Sequence, residues 1–184
     1  MEPKDPPLQN DEMFAAAYAE LRRRARALTR RQQDTPTLDA TALVHEAYLK
    51  LAGSRRFRAE SPQHLTFTVV RAMRYVLIDA ARKRSASSRG GGVTPVRRVP
   101  LDDSAAQAVS VDPGELLAMN LALRDLAEHH ELEARAFELQ FFGGLAVGEI
   151  AAVMEVSEKK VQRLLRLARA FLAGALSKGE PVQD

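Results

Sequence analysis

The sequence predicts an all-α fold, arranged as two small helical domains joined by a flexible linker. Three observations carry that prediction. Apolar residues recur at three- and four-residue intervals along most of the chain, and no stretch alternates with the period of a strand. Residues that start and stop helices punctuate these stretches. Between residues 87 and 111 the periodicity gives way to a Ser-, Gly- and Pro-containing segment with three consecutive glycines, Gly90, Gly91 and Gly92. The domains are therefore set at 11–86 and 112–177, with 87–111 between them.

Residues 1–10 are polar and Pro-rich and read as a disordered leader. From Asp11 to Arg31 the residues Phe14, Ala17, Tyr18, Leu21, Ala25 and Leu28 form one apolar stripe, and arginines cover much of the remainder. Asp39 can cap a second helix over 40–52, whose buried stripe is Leu43, Val44, Ala47, Tyr48 and Leu51; Gly53 can end it in the left-handed conformation. The loop 54–60 sets Arg55, Arg56 and Arg58 around Phe57, a combination suited to phosphates and a stacked base; spacing alone favours an ordinary basic loop with Phe57 tucked into the core. Ser61 and Pro62 open a third helix to about Ser85, with Leu65, Val69, Ala72, Met73, Val76, Leu77 and Ala80 toward a core.

Order resumes at Asp112, Pro113 and Glu115, a cap, a first-turn proline and a capping-box acid. The helix that follows carries Leu116, Leu117, Leu121, Leu123 and Leu126, and the next runs over 132–142 until Gly143 and Gly144 stop it. Residues 145–169 read as a helix-turn-helix. Val147, Ile150, Ala151 and Met154 line the first helix, and Ser157 stands where an N-cap belongs. The second helix sets Val161, Leu164, Leu165, Ala168 and Leu172 against Lys159, Lys160, Arg163, Arg166 and Arg169 on its other side. A basic second helix in this motif is the shape that enters a major groove.

Composition narrows the function classes. An apolar fraction of 46% supports a folded core. The absence of Cys excludes disulfides and thiolate metal sites and suits a reducing cytosol. Neither a signal peptide nor an apolar run approaching the ~20 residues of a membrane span is visible, so a cytoplasmic location is expected. The net charge of +3 is unevenly placed: residues 1–86 hold 16 Lys/Arg against 10 Asp/Glu, and residues 111–184 hold 8 against 12. The basic half points to a polyanion. Catalytic patterns are missing. His45 and Glu46 are followed by Leu49 where a zinc-protease motif needs a second His, and the carboxylates are spread rather than paired. Neither an enzymatic activity nor a metal or other cofactor is expected.

Three segments, TLDATALVHEAYLKL (37–51), FTVVRAMRYVLIDAARKR (67–84) and FELQFFGGLAVGEIA (137–151), make the chain resemble the extracytoplasmic-function sigma factors of the sigma-70 family over roughly residues 11–175. The resemblance implies a region 2-like three-helix domain and a region 4-like helix-turn-helix domain. Such a chain would act as a promoter-specificity subunit, with core RNA polymerase and promoter DNA as partners, an anti-sigma factor as a further candidate partner, and a monomeric free state. By position, Leu43, Val44, His45, Glu46, Tyr48, Leu49 and Lys50 would meet polymerase. Arg55, Arg56, Phe57, Arg58, Arg71, Arg74, Tyr75, Arg82 and Arg84 would serve the −10 element. Ser157, Glu158, Lys159, Lys160, Gln162, Arg163 and Arg166 would serve the −35 element. A stand-alone helix-turn-helix regulator is the alternative, and it would call for a dimer surface that the sequence does not show. The chain departs from the family pattern at Thr41 and Ala42, where acidic residues are common, and at Leu164 and Leu165, where an Asp-Trp pair is frequent. It also places Glu155 at the usual turn glycine. A left-handed residue there costs on the order of 1 kcal/mol when it is not Gly.

Overall fold

The computed structural model of the protein describes residues 6–29, 39–53, 57–87 and 113–178. Among the described residues there are seven helices and no strand: α1 (Pro6–Thr29), α2 (Ala40–Ala52), α3 (Pro62–Ser87), α4 (Pro113–His129), α5 (Glu131–Phe141), α6 (Val147–Met154) and α7 (Glu158–Lys178). Beyond Ser87, which ends α3, the linker expected over 87–111 lies outside the described residues, as does the expected cap Asp112.

Local chemistry accounts for the helix starts. The Asp39 carboxylate accepts the Ala42 N–H at 2.7 Å, and the Ser61 hydroxyl accepts the His64 N–H at 3.0 Å. Each satisfies one of the amides that a first helical turn leaves without a partner. At α7, Ser157 Oγ accepts the Lys160 N–H at 3.3 Å. The first helix begins at Pro6 rather than Asp11, so the leader expected over 1–10 is partly helical. Two prolines fit there because a proline's missing N–H falls among those first-turn amides.

Two local expectations are corrected. Gly53 closes α2 in the right-handed region at φ −68°, its N–H bonded to Leu49 O at 2.9 Å, so the turn continues and no positive φ is needed. In α4, Leu121 is exposed, and Met119 and Ala122 are buried with Leu116, Leu123 and Leu126. The spacing of Leu116, Met119, Leu123 and Leu126 puts them on one face and Leu121 on the opposite one.

Helix α3 lies at the centre. One side packs on α1 and α2 through Leu65, Val69, Ala72, Met73 and Val76, as the sequence predicts. The other side meets α4, α5 and α6. That second side follows the same helical spacing through Phe67, Val70, Arg74, Ile78 and Ala81. Val70, Ile78 and Ala81 are essentially inaccessible. Gly143, in the turn after α5, lets the backbone approach it: a Cβ there would lie 3.0 Å from Val70 Cγ2 and 2.4 Å from Leu139 O. Its neighbour Gly144 takes φ +62°, which Gly adopts without a Cβ clash.

Candidate nucleic-acid and polymerase interfaces

Helix α7 is built to present one polar face. Val161, Leu164, Leu165, Ala168 and Leu172 are buried, and Glu158, Lys159, Gln162, Arg163 and Arg166 are exposed. Lys160 is half-buried. Arg169 belongs to the packing: its guanidinium donates to Gln140 Oε1 on α5 at 2.7 Å. The exposed cationic row therefore ends at Arg166. Leu164 and Leu165 point into the core, so their departure from the family pair concerns packing.

The turn before α7 holds its angle by backbone hydrogen bonds. Glu155 adopts φ 56° and ψ 43°, the left-handed conformation, and its N–H bonds Ala151 O; Val156 N donates to the same carbonyl at 3.0 Å. At the start of α6, Ala146 has no side-chain acceptor. Glu149 instead reaches back, Oε2 accepting the Ala146 N–H at 2.8 Å. Its other oxygen accepts from Arg24 of α1 at 2.7 Å, and Arg24 also pairs with Glu20 at 2.5 Å. The Arg24 hydrogen bond is the largest influence on the Glu149 carboxyl; against the opposing effect of burial, and with help from the Ala146 N–H and the charges of Arg24 and Arg23, it holds the group below its ordinary range.

On α2, the expected polymerase-contacting set divides. Leu43 and Val44 are wholly inaccessible between α1 and α3, which corrects their assignment to a binding surface. Tyr48 is half-buried and stacks on Phe14 at 3.9 Å between ring centroids. His45, Glu46, Leu49 and Lys50 are exposed, and Leu49 keeps 66% of its surface in solvent. Lys50 Nζ donates to Asp79 on α3 at 2.6 Å, which fixes that end of the surface. Thr41, at a position where acidic residues are common, accepts from Arg22 Nε at 3.0 Å.

The expected −10 set divides in the same way. Arg71, Tyr75 and Arg82 are exposed on α3, and Arg84 is half-buried. Arg58 is exposed; Phe57 packs partly against the core with its ring edge toward His64 at 6.1 Å. Arg55 and Arg56 lie outside the described residues. Arg74 is buried, with its guanidinium 2.6 Å from the Glu138 carboxylate of α5 and 5.0 Å from the Tyr75 ring centroid. In this conformation it is closed to a nucleic acid strand. Burial pushes the Tyr75 phenol up, yet hydrogen bonds and charge from Arg71 and then Arg74 outweigh it and leave the group below its usual value.

Glu138 is a functional candidate that the sequence motifs do not single out. Burial dominates and holds its carboxyl above the usual carboxylate range, against the attraction of Arg74, Arg71 and Arg135. Beside it, the Arg135 guanidinium sits 4.3 Å from the Phe67 ring centroid, a second α5–α3 contact. A signal was present in the sequence: Glu138 interrupts the apolar stretch around Phe137, Leu139, Phe141 and Phe142, and a buried acid needs a buried cation.

The fold class is thus two helical groups sharing α3, with a helix-turn-helix at the C-terminal end. The sequence model of the family described as ECF sigma factor matches residues 7–178, nearly the whole chain. The protein belongs to the ECF sigma factor family, a family of transcription-initiation proteins that bind DNA. No curated protein and no solved structure matches the chain. No helix among the described residues is long and apolar enough to cross a membrane.

Proposed function

We propose that this chain is a non-catalytic, cytoplasmic promoter-specificity subunit that binds core RNA polymerase and recognises the −10 and −35 promoter elements. The observation that carries the reading is the exposed row Lys159, Gln162, Arg163 and Arg166, set on a helix whose start is capped by Ser157 and whose opposite face is locked into the core. A cationic face held this rigidly can enter a major groove with its register fixed by phosphate contacts, leaving Gln162 and the arginines to reach base edges. The exposed surface of α2, from His45 to Lys50, is the proposed polymerase contact. Arg71, Tyr75 and Arg82 on α3, together with Arg58 in the preceding loop, form the proposed track for the opened strand. Stacking on an aromatic ring and charge along a groove suffice for single-strand binding. Joining two weak readers in one chain raises their combined affinity through effective concentration.

The test is transcription by purified core polymerase on genomic DNA with and without this protein, read by sequencing the transcripts. New start sites sharing two spaced elements are expected. Failure to associate with core polymerase at physiological salt refutes the reading. Sizing of the free protein with operator-like DNA tests the stand-alone regulator, which would run as a dimer.

A further inference from the structure

We propose that His64 is the positioning residue of the strand-binding loop: its ring accepts a backbone N–H of the loop and so sets Phe57 and Arg58 in place relative to the cations of α3. The inference rests on the assignment of Arg58 and α3 to strand binding made above.

His64 ties the loop to the helix through both its backbone and its ring. Ser61 caps α3, so His64 is the third residue of that helix, and its N–H is the one that the Ser61 hydroxyl satisfies at 3.0 Å. Its carbonyl accepts the Thr68 hydroxyl at 2.8 Å one turn on. Its Nδ1 accepts the Glu60 N–H at 3.2 Å, and its ring stands edge-on to Phe57 at 6.1 Å between centroids. A third-position side chain that reaches back to an amide ahead of its helix is the second half of a capping box, where Glu or Gln is usual. Here the reach extends one residue further, to Glu60, and the acceptor is an imidazole.

That choice of acceptor suits a polyanion. A Glu at this position would set a second carboxylate beside Glu60 in a loop that receives phosphates, whereas a neutral ring accepts the same bond without a charge. The Glu60 N–H lies at the surface, where water would satisfy it. The bond is therefore not needed to pair a buried amide, and its effect is to fix where the loop enters the helix. Ala59 is 1% exposed and Phe57 is half-buried, while Arg58 between them is exposed. Two anchors, Ala59 and the Phe57–His64 contact, thus set the direction in which Arg58 leaves the loop.

A protonated imidazole carries two donors and no acceptor, so this bond exists only with the neutral ring. The charged residues around it are Arg58 and Glu60 in the loop, Arg71 further along α3, and Arg135 of α5, which packs on Phe67 one turn from His64. Acid has opposite signs for the two roles a histidine could have here. A histidine that contacts phosphate gains affinity as it takes up a proton; one that positions the loop by accepting an N–H loses it.

Affinity for a short fluorescent A/T-rich single strand is measured for core polymerase carrying full-length wild type, His64→Gln or His64→Leu, between about pH 8 and about pH 5, the range in which imidazoles change charge. Gln keeps an acceptor and does not titrate; Leu has none. His45, His129 and His130 are common to all of these proteins, so ratios to the Gln variant isolate His64. At the alkaline end, Gln should match wild type and Leu should bind about two- to fivefold more weakly, the lower part of what one neutral hydrogen bond is worth. Toward the acid end, wild type should fall to the Leu level while the ratio between the two variants stays constant. Wild type gaining on the Gln variant in acid makes His64 a phosphate contact and overturns the positioning role. A Leu variant equal to wild type at the alkaline end overturns it too, as does a loss that Gln does not restore. If His64→Leu does not fold by circular dichroism, the ratio of wild type to Gln across the pH range decides. Transcription by the same wild-type complex separates this inference from the function it rests on. Where promoter-directed starts appear, the contrary outcomes refute the positioning alone; absence of such starts refutes the function and this inference with it.

Discussion

Glu155 offers the sharpest test of the helix-turn-helix geometry. It is the one non-glycine residue with positive φ among the described residues, at φ 56°, and it is exposed, so its replacement removes no buried surface. A left-handed L-residue costs roughly 1–2 kcal/mol through the approach of Cβ to the backbone carbonyl. Glycine escapes that cost but loses about 0.5–1 kcal/mol more conformational entropy on folding. Glu155→Gly should therefore stabilise the protein by about 0.5–1 kcal/mol. For a chain of this size that is a rise in Tm of roughly 1–4 °C, taking about 2–4 °C per kcal/mol. Glu155→Asn should fall between, since a short polar side chain tolerates this conformation. Glu155→Val should destabilise by about 1 kcal/mol or more, as a branched Cβ is a poor fit there. Urea and thermal unfolding of the series Gly, Asn, Glu, Val gives the order directly. A Gly variant no more stable than wild type together with a Val variant no less stable would show that the turn does not use this backbone conformation in solution.

Other perturbations probe separate parts of the molecule. Leu43→Ala should cost about 2–5 kcal/mol because it empties a core position. Leu49→Ala should leave stability within about 0.5 kcal/mol yet weaken binding to core polymerase in a pull-down; equal effects on folding would refute the division of α2 into buried and contacting faces. Replacing Lys159, Arg163 and Arg166 by Ala should weaken duplex binding and flatten its salt dependence, by about one unit of slope for each phosphate that is no longer neutralised, while unfolding midpoints hardly move. Unchanged promoter output from that triple variant would displace the proposed recognition face. Glu138 and Glu149 should show opposite pH linkage. Because burial raises the Glu138 pKa, the folded state keeps a proton that the unfolded chain has released, so its contribution to stability falls as pH rises from the ordinary carboxylate pKa through the folded one. Glu138→Gln cannot ionise, and the wild-type advantage over it should shrink across that window. The Glu149 pKa is lowered, so its contribution is present above the ordinary carboxylate pKa and is lost as pH falls through the folded value. Urea unfolding of wild type and the two Gln variants from pH 3 to 7 checks both signs, and a pH-independent difference in either case removes the linkage assigned to that group.

The sequence by itself determined the helices, because their signals are local. Caps at Asp39, Ser61 and Ser157 satisfy amides within three residues, and the apolar repeats of α1, α3 and α7 name the faces that must leave water. It also determined the family, through three segments whose order and spacing are legible without coordinates. Its assignment of contact residues on α2 was coarser. A helix carrying a binding surface also carries a core surface, and only packing against α1 and α3 shows that Leu43 and Val44 lie on the second. The tertiary structure alone decided the fate of Arg74. On a single helix it reads as one more cation in an Arg-rich segment, and nothing local tells it apart from Arg71 three residues earlier. Its burial depends on Glu138, 64 positions later in the sequence, and on a glycine turn that lets α5 approach. Local chemistry cannot encode such a pairing, since the favourable term exists only when both charges leave water together.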